Sequence, residues 1–207
     1  MRHCFLKFLT CLLTTTLMLT ACQPAGAPKS GQSGSVVSTG KAEIGGAFTL
    51  VNHEGKTVTD ADFLGQPQLI YFGFTYCPDI CPTALIQMAR AQDALGKEGA
   101  DIQHIFISVD PERDTVESLS AYVTANGFPR GLIGLTGTDE QVDQAKAAFK
   151  VYAQKVEDDA SASDYTMDHS SIIYFMDSQG ELVGFFTHTS PVSEIVASIK
   201  QYLKTGR

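Results

Sequence analysis

The chain has 207 residues, of which 43% are hydrophobic and 18% charged, a balance that suits a folded protein with a buried core. That length fits one domain with an appendage, or two small domains. The 15 Lys and Arg residues against 23 Asp and Glu residues give a formal net charge of −8, which argues against a protein that binds nucleic acid through its phosphates. Proteins, cations or small molecules are the expected partners.

The first 22 residues have the pattern of an export signal. Positive charges precede a mostly apolar run without charge, Phe8 to Leu19, which is shorter than a membrane-spanning helix. The run ends in Leu19-Thr20-Ala21-Cys22, which resembles the lipobox of bacterial lipoproteins. We therefore expect residues 1–21 to be a lipoprotein signal peptide and Cys22 to carry the lipid. Ordinary secretory cleavage and an uncleaved anchor are the alternatives.

Residues 22–46, which begin with the lipidated Cys22, are predicted to form a flexible tether. The stretch from 23 to 46 contains six Gly, four Ser and two Pro and no aromatic residue, so it cannot bury enough surface to fold. A flexible chain of that length spans roughly 25–30 Å. No repeat or second linker follows, so residues 47–207 are expected to form one domain.

Within this domain, apolar runs typical of strands alternate with segments that have helical spacing. Strands are predicted at 68–74, 102–109 and 132–135, followed by a hairpin of 171–176 and 182–187. Helices are predicted at 82–97, 114–125, 138–149 and 190–203. Capping patterns predict Asp114 as the N-cap of the second helix and a capping box that begins at Thr138 for the third. The order indicates an α/β protein: a central mixed sheet flanked by helices, the outline of a thioredoxin-like fold with insertions, the β-hairpin among them.

The segment Cys77-Pro78-Asp79-Ile80-Cys81 lies between the first predicted strand and the first predicted helix. Pro82 is favoured at the first position of a helix, so we expect Cys81 at or beside the N-cap, where the helix end favours thiolate over thiol. The two thiols can form a reversible, redox-active disulfide in an exported compartment, or bind one soft metal ion together. A structural disulfide or two unrelated buried cysteines are the alternatives.

One histidine is a candidate partner for the two cysteines. Thiolates select Cu(I), zinc or iron–sulfur clusters, and imidazole suits copper and zinc. Two cysteines are too few for a cluster or a closed zinc site, but with one imidazole they suit three-coordinate Cu(I). Tyr165–His169 is expected to be a loop immediately before the strand at 171–176. A thioredoxin-like arrangement places this loop, and with it His169, opposite the cysteine turn. A capping or core-edge role is the alternative.

The other side chains with ligand chemistry receive simpler interpretations. Asp168 and Asp79 are candidate secondary ligands, and Met167 is interpreted as a packing residue. The remaining histidines of the domain are interpreted as a surface, a sheet and a loop residue: His53, His104 and His188.

The sequence resembles the Sco/SenC family of copper-binding proteins over roughly residues 45–202. Three stretches carry the resemblance: Tyr71 to Thr83 (YFGFTYCPDICPT), Phe106 to Thr115 (FISVDPERDT) and Asp168-His169-Ser170-Ser171. The resemblance implies a thioredoxin-like fold and one copper ion, Cu(I) or Cu(II), bound by Cys77, Cys81 and His169. It also implies a role in loading the dinuclear copper site of respiratory cytochrome c oxidase.

Two classes of function fit these features. One is a copper chaperone, a binding protein that passes copper to another site by ligand exchange. The other is a thiol–disulfide reductase that acts on oxidase cysteines or in oxidative defence, with an attacking and a resolving thiol. Thioredoxin-type oxidoreductases resemble one another in a proline opposite the cysteine pair, whereas this sequence has no Pro between Pro129 and Pro191, and His169 lies in that region. The metallochaperone is therefore favoured over the enzyme.

The expected partners and location follow from the resemblance and the export signal. The acceptor would be the oxidase subunit that carries the dinuclear copper site, with a periplasmic copper donor or thiol reductant as a further partner and no nucleic acid. We expect the protein in the bacterial cell envelope, lipid-anchored and facing the periplasm, with the inner membrane favoured over the outer.

Overall fold

The computed structural model describes residues 43–157 and 165–206. The predicted signal peptide, the predicted lipidation site Cys22 and the tether up to residue 42 lie outside these residues. The described residues belong to one unit, Gly40–Arg207. None of their helices combines the length and the apolar character that crossing a membrane requires.

Strands and helices alternate along the described part of the chain. The strands are β1 (Thr49–Asn52), β2 (Thr57–Thr59), β3 (Gln68–Gly73), β4 (Gln103–Ser108), β5 (Ile133–Thr136), β6 (Ala153–Glu157), β7 (Tyr165–His169), β8 (Ile172–Met176) and β9 (Leu182–Thr187). The α-helices are α1 (Ile80–Leu95), α2 (Val116–Tyr122), α3 (Asp139–Phe149) and α4 (Val192–Thr205).

Seven of the strands form one mixed sheet in the order β2-β1-β5-β4-β3-β8-β9. The central strands β3, β4 and β5 are parallel, and α1 and α2 supply the crossovers that parallel pairs need. β1 and β8 pair antiparallel with this centre, and β9 pairs antiparallel with β8. β6 and β7 form a separate antiparallel pair. The predicted thioredoxin-like α/β fold, including the hairpin of β8 and β9, is confirmed.

β3 lies inside the sheet, between β4 and β8, and apart from Gln68 its side chains are apolar or aromatic. All six of its residues are buried, as expected for a strand covered on both sides. On one face Phe72 contacts Phe149 of α3, with ring centroids 5.3 Å apart. On the other face Tyr71 contacts Phe106 of β4, which contacts Tyr122 of α2. Full burial of one such ring stabilises the fold by roughly 1.5–3 kcal/mol, so the end of β3 is firmly held.

The start of α1 differs from the prediction. Asp79 is the N-cap and Ile80 the first helical residue, so Cys81 is the second residue of the helix. The prediction that Pro82 begins the helix, with Cys81 at or beside the N-cap, was wrong. Proline is tolerated throughout the first turn because the N–H groups there have no partner within the helix. Its presence therefore does not fix the first position.

The other helices also show where capping patterns succeed and fail. Thr138 forms the predicted capping box of α3. Thr115 caps α2 by accepting from the Ser118 N–H at 3.2 Å, so the prediction of Asp114 as the cap was wrong. α2 ends at Tyr122, three residues earlier than predicted.

Four strands were missed in the sequence: β1, β2, β6 and β7. They are short and mostly half-buried or exposed, so they lack the continuous apolar run that identifies β3. The segment Tyr165–His169, expected to be a loop before β8, is strand β7. It pairs with β6 so that His169 lies opposite Ala153.

Candidate metal centre

Two sulfurs and one imidazole meet at the carboxyl end of β3. Cys77 lies in the loop after β3, Cys81 lies in the first turn of α1, and His169 is the last residue of β7. Their ligand atoms all lie within 4.8 Å of one another, and the Sγ of Cys81 is 3.4 Å from the Nε2 of His169. Both cysteines are free thiols. Among the described residues, no other set of three or more His, Cys, Asp or Glu side chains brings its ligand atoms this close together.

The two cysteines differ in their access to solvent. Cys81 is fully buried, whereas Cys77 and His169 are half-buried. Cys77 and His169 line an open cleft of about 270 Å³, whose lining also includes Asp79 and Asp168. An incoming molecule would therefore reach the pair from the Cys77 side.

The first turn of α1 stabilises the thiolate of Cys77. The hydrogen bond from the Cys81 thiol lowers the pKa of Cys77 to about 4, with further lowering from backbone N–H groups at the helix start. One of these is the Cys81 N–H, 3.3 Å from the Cys77 Sγ. The same hydrogen bond, together with burial, raises the pKa of Cys81 above its ordinary value. The helix end therefore favours the Cys77 thiolate, not that of Cys81 as the sequence predicted.

The orientation of His169 leaves one ring nitrogen for a metal. Its Nδ1 lies 3.1 Å from the carbonyl oxygen of Ser170, which can only accept, so Nδ1 is the donor and Nε2 carries the lone pair. The rings of Tyr71 and Phe74 form T-shaped contacts with the imidazole, with ring centroids 6.2 and 5.8 Å away. Such contacts to the second nitrogen and the ring faces are how proteins fix a histidine ligand.

Gly73 allows Cys81 to come close to the sheet. A Cβ at this position would lie 2.8 Å from the Cys81 Sγ and 2.9 Å from the Phe106 ring. Only glycine leaves that space, so the last residue of β3 helps to set the depth of the buried sulfur. The Tyr71 hydroxyl, from the same strand, lies 3.9 Å from the buried Cys81 Sγ.

An arginine ties β7 to the loop after β4. The guanidinium of Arg113 stacks on the ring of Tyr165 at 3.5 Å and donates to its carbonyl oxygen at 2.9 Å. Arg113 also forms an ion pair with Asp110, which accepts from the Tyr165 hydroxyl at 2.8 Å. Tyr165 begins the strand that ends at His169, so these contacts help to hold His169 in place.

A buried carboxylate holds the loop that carries Cys77. Asp114 accepts from the N–H and the hydroxyl of Thr75, at 3.1 and 2.6 Å, and from the Ser108 hydroxyl at 2.6 Å. Burial raises the pKa of Asp114, while these hydrogen bonds oppose the shift. Thr75 is two residues before Cys77, so the Asp110–Asp114 stretch supports both halves of the centre.

The remaining predicted ligands lie outside the group. Asp79 is exposed at the N-cap, and Asp168 is exposed next to His169. Adjacent residues of a strand point to opposite faces, so Asp168 points away from His169. Neither carboxylate joins the compact group of ligand atoms. Met167 is half-buried against the core, as predicted.

The other three described histidines lie elsewhere. His104 is buried in β4, where desolvation lowers its pKa to about 4, in line with its interpretation as a sheet residue. His188 follows β9 in a loop, as predicted. His53 was expected at the surface, but it is half-buried and accepts from the Gly134 N–H at 3.1 Å.

Several supporting residues were not identified from the sequence. Four of them lie in the stretches that carry the family resemblance, so a signal was present: Tyr71, Gly73, Arg113 and Asp114. Tyr165 had no signal, because its role depends on the pairing of β7.

The donor set suits a soft or borderline metal ion. Two thiolates and an imidazole are ligands that copper and zinc accept. Closed structural zinc sites use four ligands, and this group has three with an opening at Cys77. The arrangement therefore suits an ion that is held by few ligands and exchanged.

Known proteins are similar over most of the described unit. A family model described as SCO1/SenC matches residues 36–204. The human mitochondrial Protein SCO1 homolog is 43% identical over 173 residues, which cover 81% of this chain and 56% of that protein. The chain spans about half the length of the curated relatives it matches.

Two solved structures of similar proteins contain copper. Arabidopsis thaliana ScoI with copper bound is 40% identical, with a TM-score of 0.72 over 78% of this chain and 98% of that one. Bradyrhizobium japonicum ScoI with copper bound is 42% identical, with a TM-score of 0.69 over 77% and 99%.

Proposed function

The chain belongs to the SCO1/SenC family, and on that premise we propose that it is a copper chaperone that binds one copper ion through Cys77, Cys81 and His169. The observation that carries the proposal is the convergence of these two sulfurs and one imidazole within 4.8 Å. The copper in the two similar ScoI structures supports the choice of metal. Thiolates suit Cu(I), and the imidazole extends the set to Cu(II).

Unequal ligands suit transfer by exchange. Cys77 is half-exposed and already a thiolate at neutral pH, so it meets an incoming ion first. Cys81 gives up its proton when it binds, because only a thiolate is a good ligand. His169 is held through Nδ1 and presents Nε2. An acceptor thiolate would enter from the cleft and displace Cys77 before the buried Cys81.

We extend the proposal to the acceptor and the location. The family resemblance supports delivery to the dinuclear copper site of respiratory cytochrome c oxidase, with a periplasmic protein as the copper donor. The N-terminal sequence supports a signal peptide at residues 1–21, lipidation of Cys22, a tether to residue 46 and a periplasmic domain from residue 47, anchored at the inner membrane. Mass spectrometry of the membrane fraction should find an acylated Cys22, and Cys22→Ala should release the protein from that fraction.

A thiol–disulfide reductase is the second candidate, and one observation favours it. Cys77 has a pKa of about 4 and is accessible, while Cys81 lies beside it as a buried thiol, so an attacking and a resolving thiol are both present. A disulfide between them would remove both thiolate ligands. The two functions would therefore use different redox states of the same pair.

A pair of assays on the reduced chain tests the choice. One measures copper stoichiometry and affinity against a competing chelator, and the other measures reduction of a model disulfide. One equivalent of tightly bound copper with negligible disulfide turnover is expected for the chaperone. Rapid turnover without retained copper would instead support the reductase.

A further inference from the structure

We propose that the Tyr71 hydroxyl, supported by Ser171, donates a hydrogen bond to the Cys81 sulfur in the copper-loaded protein and thereby favours Cu(I) over Cu(II). The inference rests on the proposed function, and it assigns Tyr71 as a positioning residue that acts on copper through Cys81. Neither hydroxyl belongs to the ligand set.

The first support is the position of the Tyr71 hydroxyl. Tyr71 is fully buried in β3, and its oxygen lies 3.0 Å from the Ser171 Oγ and 3.9 Å from the Cys81 Sγ. Gly73 allows this approach, since a Cβ there would lie 2.8 Å from that sulfur and 3.0 Å from the Tyr71 ring. The backbone of β3 is thus shaped so that the hydroxyl and the sulfur are neighbours.

The second support is the chemistry of a buried hydroxyl. Phenylalanine would fill the same volume without a polar atom, and burying a hydroxyl without a hydrogen bond costs about 1–3 kcal/mol. The Tyr71 hydroxyl has two neighbours that can accept a hydrogen bond from it, Ser171 and Cys81. Tyr122 provides a contrast in the same cluster of rings, because its buried hydroxyl has no hydrogen-bond partner among the described residues.

The proton count depends on the state of Cys81. While Cys81 is a thiol, its single proton is donated to Cys77, and the Tyr71 hydroxyl can donate to Ser171. Once Cys81 is a copper-bound thiolate, the sulfur becomes the better acceptor, because hydrogen bonds to charged groups are shorter and stronger. The Tyr71 O–H then points to the sulfur, and the Ser171 O–H donates to the Tyr71 oxygen. Both hydroxyls remain satisfied.

A hydrogen bond to a thiolate ligand changes its electron donation. The hydrogen bond holds negative charge on the sulfur, so the sulfur donates less electron density to the metal. Hydrogen bonding around a cysteine sulfur is a known means of tuning the redox potential of copper. Electron donation from the thiolate stabilises Cu(II) more than it stabilises Cu(I). The hydrogen bond from Tyr71 to the Cys81 sulfur therefore favours Cu(I). Because the pair is buried, solvent does not screen the effect.

The test is the Tyr71→Phe variant of the full chain, loaded with copper and compared with wild type and with Tyr122→Phe. In Tyr71→Phe we expect the thiolate-to-Cu(II) charge-transfer band to move to longer wavelength. We also expect the ratio of Cu(II) to Cu(I) affinity to rise about tenfold, equal to a potential lower by about 59 mV for one electron. Tyr122→Phe should leave the band and the potential unchanged, since its hydroxyl bonds nothing among the described residues.

The outcomes separate this inference from the proposed function. Copper bound normally by Tyr71→Phe with an unchanged band and potential would overturn the inference alone. A wild-type chain that binds no copper would overturn the proposed function and the inference with it. If Tyr71→Phe does not fold by circular dichroism, Ser171→Ala is measured instead: a smaller shift in the same direction supports the inference, and no shift overturns it.

Discussion

Cys77 and Cys81 are four residues apart in sequence but have opposite chemical environments. Cys77 is half-exposed and accepts from the N–H of Cys81, whereas Cys81 is fully buried beneath it. On the proposed function, each thiol would therefore have its own role: Cys77 would be the accessible nucleophile or exchanging ligand, and Cys81 the buried, anchored ligand. A helix N-terminus stabilises whichever sulfur its N–H groups reach, and here that sulfur lies outside the helix.

This asymmetry predicts the pH dependence of thiol alkylation. Since the pKa of Cys77 is lowered to about 4, it is a thiolate throughout pH 6–8, so its alkylation rate should be nearly constant there and fall only as the pH approaches 4. The alkylation rate of an ordinary thiol would rise with pH, with a midpoint at about pH 8.5. Iodoacetamide kinetics with peptide mapping measure this. A midpoint near 8 for Cys77, or faster labelling of Cys81, would contradict the assignment.

His169 should matter more for Cu(II) than for Cu(I). Two thiolates alone satisfy Cu(I), while Cu(II) prefers additional nitrogen ligands. His169→Ala should therefore weaken Cu(II) binding and alter its absorption spectrum, with a much smaller loss for Cu(I). Competition with chelators for each oxidation state gives both affinities, and His53→Ala is a control outside the cluster. An unchanged Cu(II) spectrum and affinity in His169→Ala would remove this residue from the ligand set.

At the scale of elements, the end of β3 sets the position of α1. Gly73→Ala would place a methyl group 2.8 Å from the Cys81 Sγ and 2.9 Å from Phe106. We expect a loss of about 1–3 kcal/mol in the free energy of unfolding, as for other overpacked sites, together with weaker copper binding. Urea denaturation and chelator competition measure the two effects.

Gly184 in β9 offers a matched control for Gly73. A Cβ at Gly184 would have nothing within 4 Å, so Gly184→Ala should leave both stability and copper binding nearly unchanged. Equal effects of the two substitutions would show that close contact at Gly73 is not what positions Cys81.

β7 should depend on its attachment to the loop after β4. Tyr165→Phe removes the hydroxyl that donates to Asp110 while keeping the ring on which Arg113 stacks. The lost buried hydrogen bond is worth about 1 kcal/mol. Because β7 then holds His169 less firmly in position, we expect the affinity for Cu(II) to fall roughly fivefold. Tyr152→Phe is the control, since its exposed hydroxyl donates to Gln154, which lies outside the cluster of ligand atoms. Equal Cu(II) affinities of the two variants would refute a positioning role for Tyr165.

The same elements show what sequence alone predicts. β3, the capping box at Thr138 and the hairpin of β8 and β9 follow from local patterns, and the structure has all of them. β7 does not, because its pairing with β6 depends on register between two weakly apolar segments. The start of α1 was misplaced because Pro82 is compatible with several positions of a first turn.

At the scale of the whole molecule, the fold brings together groups that are 88 residues apart, Cys81 and His169. Motifs identified these residues, but the distance between them depends on how β3 and β7 pack. The supporting contacts of Arg113, Asp114 and Tyr71 are tertiary and have no local pattern. The sequence thus predicted candidate ligands, whereas their geometry required the structure.

Copper should stabilise the whole domain, because the ion joins two parts of the chain that separate on unfolding. Binding to the folded state alone adds about 2.7 kcal/mol when free copper is 100 times Kd. Thermal unfolding of the reduced chain should therefore shift to higher temperature with Cu(I), and a chelator should reverse the shift. Cys81→Ser should abolish it. A shift that persists in Cys81→Ser would indicate copper bound elsewhere.

X-ray absorption spectroscopy at the copper edge tests the central claim most directly, because it counts the atoms bound to the metal. For the Cu(II)-loaded chain we predict two sulfur scatterers and one imidazole, with the imidazole lost in His169→Ala and one sulfur lost in Cys77→Ser or Cys81→Ser. A single sulfur in the wild-type spectrum, or an imidazole signal that His169→Ala leaves intact, would contradict the account.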